Sequence, residues 1–138
     1  MTKEQKIKSF DPNSIGDTTA GMFGLPFTIE ECETVLIPVP WEVTVSYGGG
    51  TVNGPKAIHE ASYQVDLYDP NLKDAWKLGI GMDKENKTIR TKSTTLRKKA
   101  EAIINAMASG KDISKNKTHQ KSAKEIQEGC LWLNKTVK

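Results

Sequence analysis

The chain has 138 residues, 36% of them hydrophobic, 27% charged and 7% aromatic, with a formal net charge of +3. That length suits one domain with its own core, and the ordinary composition excludes a collagen-like, disordered or disulfide-scaffold protein. No apolar run approaches the roughly 20 residues of a membrane helix, and the start MTKEQKIKSF lacks the apolar stretch of a signal peptide, so a cytoplasmic protein with no membrane partner is expected.

Residues 1–20 are polar, with Pro12 and Gly16 among Ser and Thr, and read as an extended arm. Gly21 to Pro26, GMFGLP, is a small apolar patch suited to docking. Thr28 with Glu31 three residues on has the spacing of a capping box at a short helical turn. Thr34 to Val39 is the first strand. It is apolar without alternation, as a strand covered on both faces should be, and Pro38 belongs at its end.

Residues 40–53 form a long loop with three consecutive glycines, Gly48, Gly49 and Gly50. Glycines permit positive φ and close approach of another group. A glycine-rich loop between strand and helix invites a phosphate-binding reading, but neither GxGxxG nor GxxxxGK[ST] is present. A shaped loop at the carboxyl end of a strand, where open α/β sheets bind ligands, fits better. A helix then runs from about Pro55 to Tyr68, with Ala57, Ile58, Ala61, Val65 and Leu67 near one stripe and Asp69-Pro70 as its stop.

Leu78 to Met82 reads as a second short strand. A helix follows from about Thr88 to Ala108, with Leu96, Ala100, Ile103, Ile104 and Met107 as its buried stripe and Gly110 as its stop. A last helix starts near Thr118 and carries Ala123, Ile126, Cys130, Leu133 and Val137. Strand, helix, strand, helix in this order is an α/β pattern built on a parallel sheet.

Charge is uneven along this order. Residues 1–70 hold 4 Lys/Arg against 10 Asp/Glu, and residues 71–138 hold 16 against 7. A basic half is the footprint of a nucleic-acid partner. Here Glu and Asp stand among the lysines and no aromatic residues alternate with them, so a solvated helix surface is the better account and no nucleic-acid partner is expected. Cys32 and Cys130 lie outside any CxxC spacing and read as two reduced, partly buried thiols.

Several segments in order carry a family resemblance. They are Phe10 to Gly16 (FDPNSIG), Gly24 to Thr28 (GLPFT), Ile37-Pro38-Val39-Pro40, Ser46-Tyr47-Gly48-Gly49-Gly50, Gly54 to Ser62 (GPKAIHEAS) and Asp66 to Ile80 (DLYDPNLKDAWKLGI). The set resembles the N-terminal portion of the ureohydrolases, the arginase and agmatinase family, and within it an agmatinase-like bacterial branch. The family usually has Arg where this chain has His59. That Arg looks structural, so His59 reads as a surface or core residue and not as a catalytic substitute.

The resemblance implies a partial three-layer parallel sheet, the N-terminal part of an arginase-like α/β fold. Residues 1–33 would be an extended N-terminal arm and short helical turn, and residues 34–138 an incomplete ureohydrolase domain. It also implies the family's chemistry in the complete enzyme: manganese-dependent hydrolysis of a guanidino C–N bond that releases urea. Two manganese ions are held there by a histidine and aspartates of GG(D/E)H, DAHxD and DxDxxDP motifs, none of which occurs in this sequence. His59 and His119 are its only histidines, and the carboxylate pair Asp66 and Asp69 alone does not make a two-metal cage.

No catalytic residue, metal ligand or cofactor is therefore assigned to this chain. It is expected to be an N-terminal fragment of an agmatinase-like enzyme and silent alone; a non-catalytic interaction or regulatory protein derived from a ureohydrolase is the alternative. Trp41, Tyr47, Gly48, Gly49 and Gly50 would help wall the substrate entrance, with packing of the loop as the other role open to Trp41 and Tyr47. The partners implied are a guanidino small molecule in the complete enzyme and a second copy or a full-length ureohydrolase at the exposed sheet edge.

Overall fold

The computed structural model describes residues 1–45 and 47–138; Ser46, the first residue of the loop motif, lies outside the described residues. Helices α1 (Lys3–Ser9), α2 (Gly54–Ser62), α3 (Lys87–Ala108) and α4 (Lys117–Thr136) alternate with two short strands, β1 (Thr34–Leu36) and β2 (Ile80–Met82), in the order α1, β1, α2, β2, α3, α4. The chain is thus mixed α/β. It forms two compact units, one of residues 1–38 and 55–85, the other of residues 39–54 and 86–138.

The first unit is organised around Trp76. Its ring stacks on Phe27, with centroids 6.5 Å apart, and meets Phe10 at 5.0 Å. Leu25 completes the buried cluster, and Ile7, Phe23, Cys32 and Leu67 pack around it. Residues 3–9 form a helix where an extended arm is expected. The cause is local: Thr2 accepts the Gln5 N–H while the Gln5 side chain accepts the Thr2 N–H, a reciprocal cap. Lys6 then reaches Glu31 at 2.6 Å, and Glu31 also accepts the Thr28 N–H at 2.8 Å, so the expected capping box forms and ties α1 down. The Lys6 ammonium, then the Thr28 N–H, hold the Glu31 carboxyl below the usual range.

β1 and β2 pair in parallel, with Thr34 opposite Ile80, Val35 opposite Gly81 and Leu36 opposite Met82. Gly81 packs closely there: a Cβ would lie 2.8 Å from Ile29 Cδ1 and 3.0 Å from Cys32 Sγ, and those side chains would have to shift to admit it. The expectation of a strand covered on both faces is not met: Val35, Leu36 and Ile37 are 38, 37 and 60% exposed. A single short neighbour covers one edge only. The expected stripe of α2 differs as well. Ala57, Ile58 and Ala61 face solvent, and the buried residue of the helix is Ser62, which accepts the Phe23 N–H at 3.0 Å and donates to the His59 carbonyl at 2.6 Å. That bond holds Phe23 in a left-handed conformation, φ +60°, rare for a residue with a Cβ.

The second unit is a helical hairpin with residues 39–54 laid on it. Asn86 caps α3 by accepting the Thr88 N–H, and Asn116 caps α4 by accepting those of Thr118 and His119. α3 ends in a Schellman motif: Gly110, at φ +69°, donates to Met107 O while Lys111 donates to Ala106 O. Val43, Leu96 and Ala100 form the core, joined by Trp41, Ile104 and Ile126. Met107, expected in the buried stripe, is 59% exposed, and Ala106 is buried in its place. Gly129 of α4 faces Leu96 so closely that a Cβ would meet Leu96 Cδ1 at 2.3 Å. The Lys99–Glu125 ion pair bridges the two helices.

Replacing Trp76 by Ala should destabilise the first unit by about 3–5 kcal/mol, the cost of an uncollapsed aromatic cavity. Met107→Ala should change stability by less than about 0.5 kcal/mol, as is usual for a surface site. Chemical denaturation of the two variants checks both.

Candidate functional site

The loop of residues 40–53 belongs to the second unit, and three side chains supply the hydrogen bonds that a neighbouring strand would otherwise give it. Ser93 of α3, 1% exposed, accepts the Glu42 N–H at 2.8 Å. Arg97 donates to the carbonyls of Val43 and Val45 and pairs with Glu101 at 2.9 Å. Arg90 donates to Val52 O at 3.2 Å and reaches Asn53 Oδ1 at 3.5 Å. Apolar burial adds to this. Val43 is 1% exposed and Pro40 is also among the most buried side chains.

Inside the loop the organising group is Glu42. Its Oε2 accepts the N–H of Gly50 at 2.8 Å and that of Val52 at 2.9 Å. Both bonds favour the ionised form and, with the nearby Arg97 charge, hold the carboxyl below the usual glutamate range. The chain then closes a single 3₁₀ turn, Thr51–Asn53, that runs into α2. Gly50 takes φ +120°, a conformation closed to side-chain-bearing residues, while Gly48 sits at +64°.

The expected entrance residues do not share one environment. Trp41 packs on the core beside Leu96 and Ala100, and its ring edge lies 3.6 Å from where a Gly129 Cβ would be. Tyr47 projects outward, 96% exposed, and Gly48 to Gly50 are exposed beside it in sequence. Packing is therefore the role the contacts give Trp41, and Tyr47 is left as the aromatic group the loop presents. Sequence reasoning missed Glu42, Arg90, Ser93 and Arg97. A signal existed: Arg90, Ser93 and Arg97 are three and four apart, so polar groups recur on the face of α3 that also carries the apolar Ile89, Leu96 and Ala100.

Elsewhere, His59 is half-buried, with Nδ1 3.2 Å from the Tyr63 hydroxyl. Asp66 and Asp69 border a 370 Å³ cavity with Tyr68 and Trp76. Each carboxylate is engaged in its own turn, Asp66 by the Tyr68 N–H and Asp69 by those of Asn71 and Leu72. Among the described residues no three His, Cys, Asp or Glu side chains converge as a metal ion would need. Also among the described residues, no helix is long and apolar enough to cross a membrane.

One comparison with known proteins supports a ureohydrolase relationship, and it does so over part of the chain. A stretch of 42 residues, 30% of this chain, is 43% identical to the N(1)-aminopropylagmatine ureohydrolase of Synechocystis sp. and spans 14% of that protein's length. No family model matches the chain. No solved structure matches it either.

Gly50→Ala should cost about 1–3 kcal/mol through backbone strain at φ +120°, since nothing among the described residues lies within 4 Å of the added methyl. Gly54→Ala, at helical φ −50° and in open space, should instead be neutral or stabilise by up to about 1 kcal/mol. Urea denaturation of the pair separates conformational strain from crowding.

Proposed function

We propose that this chain is the N-terminal portion of an agmatinase-like ureohydrolase. In the complete enzyme a manganese pair would support hydrolysis of a guanidino C–N bond with release of urea. The observation that carries this reading is the 43% identity over 42 residues to a named ureohydrolase. The ordered motifs from Phe10 to Ile80 add to it. On this reading the fold continues as a three-layer arginase-like sheet in the cytoplasm, and the exposed Val35 and Leu36 of β1 and Ile37 just after it are covered by further chain, a second copy or a full-length relative.

The braced loop then stands at the substrate entrance, with Tyr47 as its aromatic contact and the three glycines giving close approach. Acceleration of guanidine hydrolysis needs ions held about 3.5–4 Å apart to make hydroxide and polarise the carbon. This chain has no such set of ligands among its described residues. We accordingly assign it no catalytic residue.

The purified chain, given manganese and agmatine, arginine or N(1)-aminopropylagmatine, should release no urea above a protein-free blank. Release above the blank would refute its silence. The nucleotide sequence past codon 138 tests the origin: an open frame that continues into GG(D/E)H supports the reading, and a stop with no such motif downstream counts against it.

A further inference from the structure

We infer that Glu42 is the positioning residue of the loop: its carboxylate, acting on a turn that the glycines make possible, sets the conformation of residues 48–52 beside the exposed Tyr47. Three observations converge. First, one oxygen, Oε2, binds two main-chain N–H groups, Gly50 at 2.8 Å and Val52 at 2.9 Å, so a single side chain closes the loop on itself. Second, Gly48 at φ +64° and Gly50 at φ +120° make the turn possible, and Gly50 is tied into it by its N–H on Glu42 and its carbonyl on the Asn53 N–H at 2.9 Å. Third, Glu42 is itself fixed at both ends. Its backbone N–H is held by buried Ser93, and Gly49 passes close over its carboxylate, with Oε1 3.1 Å from where a Gly49 Cβ would stand.

The charged groups around this carboxylate come from α3. Arg97 adds a favourable charge while it donates to Val43 O and Val45 O and pairs with Glu101; Arg90 holds Val52 O from the same helix. Carboxylate acceptors bind backbone N–H groups about twice as strongly as neutral ones. A loop ordered in this way before binding loses less conformational freedom when a ligand arrives. That consequence rests on the proposed reading of the loop as an entrance, for which the ligand is a cationic guanidino compound. The bracing itself does not depend on that reading.

The test uses the full chain, labelled with ¹⁵N, as wild type, Glu42→Gln and Glu42→Ala. In the wild type the amide resonances of Gly50 and Val52 should titrate together, with one inflection below the ordinary glutamate range. Above that inflection the carboxylate is ionised and both amides are protected; as pH falls through it, protection is lost. Glu42→Gln should abolish the shared inflection while amides of α3 stay protected. Glu42→Ala should lower protection at Gly50 and Val52 about tenfold or more, as loss of a charge-assisted bond predicts. Titration of the two amides apart from each other, or an inflection that survives in Glu42→Gln, would overturn the inference. If Glu42→Ala does not fold, the wild-type and Glu42→Gln titrations decide alone. No urea or ligand enters the readout, so failure here and failure of the ureohydrolase reading are separate results.

Discussion

Main-chain donors and acceptors that lack a strand partner must find one in a side chain, and both units of this protein depend on that constraint. In the second unit Glu42, Ser93, Arg90 and Arg97 satisfy the loop between β1 and α2. In the first, Ser62 holds the strained Phe23, and Glu31 joins a capping turn to Lys6. Only three residues pair on each strand, so regular sheet hydrogen bonding is a small part of the whole. Side-chain chemistry therefore decides the shape of the irregular segments, which are the ones that carry the candidate site.

Apolar burial is divided in the same way. Trp76 and its aromatic neighbours gather one core, and Leu96, Ala100 and Val43 another. Within the first unit, Val35 and Leu36 of β1, Ile37 just after it and Ile58 of α2 remain more than a third exposed. A strand with this composition is usually the interior of a larger parallel sheet. The proposal of a larger ureohydrolase assembly accounts for the exposure, because an exposed parallel edge has a free row of donors and acceptors as well as apolar side chains.

Much of the secondary structure was legible because its signals are local. α3 and α4 begin at Asn caps, and α3 stops at Gly110, where positive φ and two reversed hydrogen bonds end the helix. The capping box at Thr28 and the parallel pairing of an early with a late strand were read from spacing and order. Helix α1 was not read, although Thr2 and Gln5 form a box; Gln in place of Glu and the short polar run weakened the pattern. The α2 stripe failed for a different reason. Periodicity finds an apolar face but cannot say whether anything is available to cover it.

By itself the sequence determined the bounds of α3 and the start of α4, the α/β class and the glycine loop, because each depends on residues close together along the chain; the helix expected as far as Tyr68 ends instead at Ser62. Tertiary structure alone decided that Trp41 packs while Tyr47 projects, and that Glu42 and α3 hold the loop between them. Those contacts join residues some fifty positions apart, such as Glu42 with Ser93 and Val45 with Arg97. The spacing of Arg90, Ser93 and Arg97 on the apolar face of α3 signals that they meet something other than water, but which distant backbone group each one meets is set by the folded geometry.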